Sequence, residues 1–373
     1  MTTLLAETEV VARVFDHIDN GTTDLSADIW REPVSNYLSP ARFEAELRLM
    51  RRTPTAFCPS AMLKGAGSYL ARTAAGVPLV AVRGTDGVVR AFRNACRHRG
   101  AQLACGAGQQ KSFVCPYHGW TYGLDGALRG VPGEHGFPGL DKATHGLTPV
   151  RAYEHGGLVY VTQEPGEDDD AAYVATLPTL FGPTHELVSD VLRETQANWK
   201  ICAEGFLEGY HIHATHRDTF FPAQYDNLAL VETFGRNSRV TFPYRTIERL
   251  RGAPPGAWNT ESKLTYVYHL FPNVMIATLP RRILMVVLEP VHPGLTHYHR
   301  YTLARAEDLE AHRETIDKGI AFGLEGESED RMIVESIQRG LASQGNDAFV
   351  FGRFEGAITH FHQHLHEALA EAA

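Results

Sequence analysis

The sequence predicts an α+β protein of two domains, and three observations carry this. Residues 55–163 are short runs of β-branched and aromatic residues broken by Gly and Asp-Gly turns, the texture of a small antiparallel β domain. The second half instead gathers its strands in a block with long helical stretches around them. The chain also has 373 residues, more than the roughly 250–300 at which a single core stops growing.

Along the chain, Ser39-Pro40 before ARFEAELRLMRR predicts an amphipathic helix with Ser39 as N-cap, and 1–54 reads as helices and turns packing on the second domain. Within 55–165, VPLVAVRG, VVRAFRN, KSFVCPY, WTYGLDGALRG and GGLVYVTQ are expected strands. The acidic run Pro165 to Asp170 predicts an exposed linker. In 166–373, VYHLFPNVMIATL, RILMVVLEPV and THYHRYTLARA read as strands, and 190–218, 307–343 and 355–371 as helices.

A formal net charge of −9 argues against a nucleic-acid binder, which usually presents a clustered basic surface. No stretch approaches the ~18 consecutive apolar residues of a membrane span. The start, MTTLLAETEVVARVFDH, lacks the basic region and long apolar core of a signal peptide, so a cytoplasmic location is expected. Five cysteines (Cys58, Cys96, Cys105, Cys115, Cys202) are too few and odd in number for a secreted disulfide scaffold.

Cys96-x-His98 is followed, after sixteen residues, by Cys115-x-x-His118, each pair within a Gly-rich turn. Thiolates and imidazoles brought together by two short loops make a metal site. A Cys2His2 zinc site and a centre with two Cys on one iron and two His on the other compete here. Zinc fingers pair like with like, whereas each loop here supplies one Cys and one His, which suits two irons sharing sulfides across facing loops. Cys105 is expected to be a small buried hydrophobe. Trp120 is expected to pack over the second loop.

CRHRG and CPYHGWTYGLDG resemble the loops of the Rieske non-haem iron oxygenases, the aromatic-ring-hydroxylating oxygenase α-subunit family. The resemblance covers about residues 40–370. It implies a Rieske β-sandwich-like domain holding a [2Fe–2S] cluster on Cys96, His98, Cys115 and His118, then a helix-grip catalytic domain with a large antiparallel sheet over a pocket. The disulfide cysteines of respiratory Rieske proteins would fall at Ala101 and Tyr117, so that bridge is not expected.

The second constellation is NWKICAEGFLEGYHIHATH, residues 198–216. On an ideal helix Glu204, Glu208 and His211 share a face, a carboxylate stripe suited to a metal and its supporting shell. His216, five residues after His211, converges with it only where the helix bulges or ends. The resemblance makes His211 and His216 ligands of a mononuclear Fe(II) and Glu208 an acid bridging to the cluster of a neighbouring subunit, with Glu in place of the commoner Asp. His213 matches no ligand. A 2-His-1-carboxylate site needs an acid; Asp330 is the candidate, with Glu329, Glu335 and Asp347 as competitors.

GAGSYL and GAGQQK do not open a βαβ unit, so no dinucleotide site is expected and electrons must come from a partner, a ferredoxin and/or a flavin-dependent NAD(P)H reductase. Arg97 and Arg99, flanking a cluster ligand, read equally as a ferredoxin docking spot or as local caps. The family resemblance implies a homotrimeric terminal oxygenase that uses O2 on a small organic substrate. Phe271, Met275, Ile276, Met285 and Val287 suggest a hydrophobic or aromatic substrate. The alternative is N-demethylation of a betaine-like quaternary ammonium held by Tyr266, Tyr268 and Trp258. A Rieske electron carrier without a second iron is the reading of a different class. His360, His362, His364 and His366 form i, i+4 pairs on an expected partly exposed helix whose metal chelation would be adventitious.

Overall fold

The computed structural model describes residues 4–371 apart from 165 and 167–169. The chain forms two units, one of Leu47–Leu187 and one of Met1–Glu46 with Val188–Ala373.

The Leu47–Leu187 unit contains a seven-stranded antiparallel sheet. Its order is Thr55–Pro59, Leu158–Thr162, Pro149–His155, Val89–Arg93, Val77–Arg83, Ser68–Ala74, Gly106–Gln109. A small sheet of Phe113–Val114, Thr121–Tyr122 and Leu128–Gly130 adds a second layer. Alternate residues of both layers, among them Val80, Val82, Phe92, Phe113 and Tyr122, close one core around Cys96 and Cys115. KSFVCPY yields only two strand residues because its chain turns into a loop at Cys115. Cys105 is exposed, not buried, because it leads into Gly106–Gln109, an edge strand exposed along its whole length. The predicted acidic linker lies mostly outside the described residues. Its last residue departs from expectation: Asp170 is buried, opens the helix Asp170–Ala175 and pairs with Arg151 at 3.3 Å.

The other unit is built on a seven-stranded antiparallel sheet. Its order is His185–Thr195, Leu295–Arg305, Arg282–His292, Val274–Leu279, Leu264–Leu270, Asn237–Pro243, Leu230–Phe234. After the first strand, sequence neighbours pair throughout, joined by short turns except for the longer connection between Pro243 and Leu264. The expected helix 190–218 does not form. HELVSDVLRET alternates exposure with period two toward its end and pairs as an edge strand, leaving only the helices Trp199–Glu204 and Ile212–Thr215. The helices expected over 307–343 and 355–371 are Ala306–Leu341, kinked at His312, and Gly356–Glu371.

The helix Glu7–Asn20 completes this unit, and Pro40–Arg52 crosses the boundary at Leu47. Glu7–Asn20 buries Val10, Val11 and Val14 against Leu230, Ile247 and Leu264 of the sheet side. In Pro40–Arg52 the Ser39 hydroxyl accepts the Arg42 N–H at 3.2 Å, the cap its sequence predicts. A two-stranded ribbon pairs Trp30–Pro33 with Ala348–Phe351. Among the described residues no helix is long and apolar enough to cross a membrane.

Candidate metal centres and pocket

The two Cys-His loops are built alike. The Cys96 N–H donates to Ala101 and the Gly100 N–H returns to the Cys96 carbonyl, both at 2.8 Å. In the second loop Cys115 bonds Trp120 at 2.8 Å and Gly119 returns at 3.0 Å. Each closure turns through a left-handed glycine, Gly100 at φ 81° and Gly119 at φ 73°, where a side chain would be strained. Buried Asn94 braces the first loop, accepting from Leu103 N–H and donating to the Ala104 carbonyl.

This places the two thiols inside and the imidazoles outside. Cys96 and Cys115 are buried, whereas His98 is half-buried and His118 exposed, their ring centres 4.8 Å apart. Burial pushes the Cys115 thiol up, but the N–H groups of Tyr117 and His118 with the Cys96 side chain outweigh it and hold it below its ordinary range. A thiolate is what an iron–sulfur centre requires, so these donors fit such a group. Tyr122 lies 3.3 Å from Cys96 Sγ and accepts the Arg97 N–H at 2.9 Å, a support that nothing in the spacing announced. Trp120 stacks on His98 of the first loop, centres 5.0 Å apart and planes 9° off parallel. None of the five cysteines is in a disulfide.

In the other unit the chain around 198–216 places the next donors. Asn198 caps Trp199–Glu204, its side chain accepting the Lys200 N–H. Glu204 does not share a metal-facing side with Glu208. It bonds Tyr37 Oη at 2.6 Å and His362 Nε2 at 2.8 Å, because the helix ends there and a turn redirects the chain toward Glu208. His211 then stands at the start of Ile212–Thr215 and His216 at its end, and because the helix is a single turn that stops there, their rings converge, centres 5.1 Å apart. His213 points elsewhere, exposed and 3.8 Å from Asp226.

One donor atom each from His211, His216 and Asp330 lies within 4.8 Å of the others. Asp330 Oδ1 is 2.9 Å from His216 Nε2 and 3.5 Å from His211 Nε2. Despite that closeness, buried His216 Nε2 has no hydrogen bond of acceptable direction among the described residues. A lone pair aimed at a point shared with a carboxylate and a second imidazole fits a metal ion and wastes a buried acceptor otherwise. The outer nitrogens are oriented: His211 Nδ1 contacts the Glu208 carboxylate, and His216 Nδ1 lies 2.8 Å from Glu329, which also accepts from Thr219. Burial pulls both imidazoles down, and their carboxylates more than reverse it, raising both. Of the acids weighed with Asp330, Glu329 sits behind His216, and Glu335 accepts the Gln196 N–H. Asp347 contributes a carbonyl to Val34.

Glu355 carries no signal in the sequence. Burial, then the nearby charges of Glu208 and Glu204, push its carboxyl up to about 7. No spacing relates it to 198–216, so only the tertiary structure reveals it.

A cavity of about 190 Å³ opens beside the three donors. Its sheet wall is a row of cross-strand partners on one face: Phe242 opposite Thr265, Val267 opposite Ala277, Ala277 opposite Leu284. Phe220 and Phe322 close it, and Arg282 and Arg300 reach into it. Arg300 pairs with Glu327 at 2.9 Å. Arg282 donates only to the carbonyls of Gly319 and Pro280 and has no carboxylate partner among the described residues.

Both sets of residues expected at the substrate lie elsewhere. Phe271, Met275, Ile276, Met285 and Val287 are core, and none lines the cavity. Ile276 and Met285 pair with each other one residue out of phase with Ala277 and Leu284, which turns them to the opposite face. Tyr266 and Tyr268 already hold a cation, the Arg239 guanidinium, at 4.8 and 5.9 Å. Trp258 is tied by its indole N–H to the Leu250 and Ala253 carbonyls.

Residues 183–371 match the model of the ring hydroxylating alpha subunit catalytic domain, and 53–152 that of the Rieske [2Fe–2S] domain. The carnitine monooxygenase oxygenase subunit of Escherichia coli K12 is 28% identical over 364 residues, covering 91% of this chain and 93% of that one. Chloroplastic choline monooxygenase of Beta vulgaris is 27% identical over 359 residues, covering 92% and 78%. Among solved structures, naphthalene 1,2-dioxygenase from a Rhodococcus species superposes with a TM-score of 0.79 at 18% identity, covering 99% and 100%. A quaternary ammonium Rieske monooxygenase gives 0.78 at 22%, covering 98% and 100%.

Proposed function

The chain belongs to the ring-hydroxylating α-subunit family and carries a Rieske [2Fe–2S] domain, and from that premise we propose that it oxidises a small organic molecule bearing an anionic group, foremost a betaine-type N-methylated zwitterion. It is a Rieske oxygenase, an enzyme that incorporates oxygen from O2 using electrons supplied from outside. The pure carrier reading has no use for a second donor group or a pocket.

The observation that carries the substrate reading is Arg282, a guanidinium facing an aromatic-walled cavity without a carboxylate to neutralise it. A substrate carboxylate would satisfy its remaining donors in a charge-assisted pair. Phe220, Phe242 and Phe322 would hold the apolar or methylammonium end. The carnitine and choline oxygenases among the relatives support this class. Oxygen inserted into a C–H bond next to nitrogen gives a carbinol; its C–N bond breaks to amine and aldehyde, and the second oxygen atom leaves as water. Phenyl walls also favour the second reading, hydroxylation of an arene or other hydrophobic substrate.

A panel of N-methyl carboxylates and neutral arenes, assayed for formaldehyde or amine release and for hydroxylated rings, separates them. Arg282→Leu should raise KM for the carboxylates about 10–100-fold, the range of a lost hydrogen bond to charge. A neutral arene turned over best, with Arg282→Leu indifferent, would return the second reading.

The remaining assignments belong to the same proposal. Cys96, His98, Cys115 and His118 hold the cluster, and His211, His216 and Asp330 hold Fe(II), which supplies the O2-activating redox chemistry when bound. Glu208 fixes His211 on its own chain and bridges to His118 of a neighbour in a homotrimer. Inter-subunit electron transfer, described for the quaternary ammonium monooxygenase, supports that arrangement. A ferredoxin and/or a flavin reductase in the cytoplasm would deliver electrons near Arg97 and Arg99, neither of which pairs with a carboxylate in the described residues. Functionally, 1–54, 55–165 and 166–373 serve as packing segment, cluster domain and catalytic domain.

A further inference from the structure

Away from the cavity, the described residues hold a second trio of metal-type donors: Glu32, His362 and His366, one atom of each within 4.8 Å of the others. The helix Gly356–Glu371 presents the two imidazoles one turn apart, and the ribbon strand Trp30–Pro33 supplies the carboxylate. The helix is partly exposed, as its sequence suggested, but His362 itself is fully buried. We propose that these three residues bind a divalent transition-metal ion of the zinc class, at a site separate from both iron centres.

The spacing fits. His366 Nε2 is 3.0 Å from both Glu32 oxygens, and His362 Nδ1 is 3.5 Å from one of them. Zinc bonds of about 2.0–2.2 Å put tetrahedral donors roughly 3.4 Å apart. His362 Nδ1 is buried and has no hydrogen bond among the described residues, so its lone pair has no other use.

The supporting residues fit as well. A metal-bound imidazole usually gives its other N–H to a carboxylate, which fixes its tautomer. His362 Nε2 does this toward Glu204 at 2.8 Å, and Glu204 is held in turn by Tyr37. Glu32 is oriented by Trp30 Nε1 at 3.0 Å and Asn36 Nδ2 at 2.7 Å. Two imidazoles and a carboxylate select zinc-type ions over calcium or magnesium and leave a fourth position open. Entry is on the side of His366, whose side chain is 36% exposed. The outer pair on the same helix, His360 and His364, meets edge to face with centres 4.3 Å apart, and among the described residues no third donor comes within 4.8 Å of both.

The test is a Zn2+ titration of the iron-loaded enzyme against a chromophoric chelator, with zinc and iron both counted after gel filtration. The expected result is one zinc per chain with iron retained. His366→Ala should lose it and His364→Ala should keep it. Because His366 is half-exposed, its variant should fold; Co2+ absorption in the wild-type enzyme, with the ligand-field bands of a four-coordinate site, gives a readout independent of any variant. No zinc uptake, uptake only as iron leaves, or uptake that survives His366→Ala and vanishes in His364→Ala would each overturn the proposal.

Discussion

Glu208 is the residue on which the two centres are proposed to depend, and its accepting atoms are occupied on its own chain by the Tyr210 and His211 N–H groups and the His211 ring. Glu208→Gln keeps the size and the turn while removing the charge. Iron analysis should find three irons per chain unchanged, with turnover lowered about 10–100-fold, as for other supporting residues of metal ligands. A different residue governs acid sensitivity. His269 is fully buried, 2.9 Å from the Pro272 carbonyl, and burial pushes it from 6.5 down to about 4. Its neutral form is the folded one, so its contribution is whole above pH 6.5 and is lost as pH falls from there toward 4. Denaturant titrations at pH 7 and pH 4.5 should differ by up to about 3 kcal/mol from this group, and His269→Phe should shrink that difference. At this scale the sequence is informative where donors lie close together. Cys96 and His98, or His211 and His216, announce each other by spacing. Asp330, Glu329, Glu355 and Arg282 come from distant segments and are related to them only by the fold.

Among the elements, the helix Ala306–Leu341 makes room by omission. A Cβ on Gly326 would lie 2.2 Å from the Phe220 ring, and one on Gly319 would lie 2.3 Å from the Arg282 guanidinium. Phe220 in turn packs on His216, centres 4.5 Å apart. Ala is worth about 1 kcal/mol more than Gly in a helix interior, so Gly326→Ala sets helix gain against a displaced ring. The expected outcome is reduced kcat/KM from a misplaced His216 wall, with helicity by circular dichroism unchanged. Elsewhere the buried pair Lys200–Glu46, both 2.8 Å contacts and both side chains 1% exposed, joins Trp199–Glu204 to Pro40–Arg52. Glu46→Ala strands the ammonium in the interior, and urea unfolding should register a loss of about 3–5 kcal/mol. Legibility at this scale depends on period. The hairpin strands 264–279 and the two long helices carry patterns longer than their turns. His185–Thr195 misleads because its carboxylates and valines fit a helical stripe nearly as well as an alternating strand, and pairing with Leu295–Arg305 decides it.

For the whole molecule, the proposed passage of electrons between subunits has a direct test. Cys96→Ala removes a proposed cluster ligand and Asp330→Ala a proposed iron ligand, and each variant alone should be inactive in the proposed homotrimer. Mixed trimers from co-expression should recover activity, because the intact cluster of one variant can serve the intact iron of the other. Recovery absent in mixed trimers of verified composition would place the electron path within one chain. The α+β class and the division into a β unit and a sheet-and-helix unit were readable from texture alone, since each unit has its own hydrophobic period. Residues before 47 group with the second unit, in line with the expected packing of 1–54 on it, although the contacts behind that association, such as Val10 on Leu230, leave no local mark and the boundary falls at 47.

The cavity has two unlike walls. His211, His216 and Asp330 all come from the loop-and-helix side, while Thr265, Val267, Ala277 and Leu284 come from the sheet. Exchanges on the sheet wall therefore leave every donor atom where it is. Evolution or a protein engineer can redraw the mould for a new molecule without touching the burner beneath it, and the small side chain of Ala277 is the first place to begin.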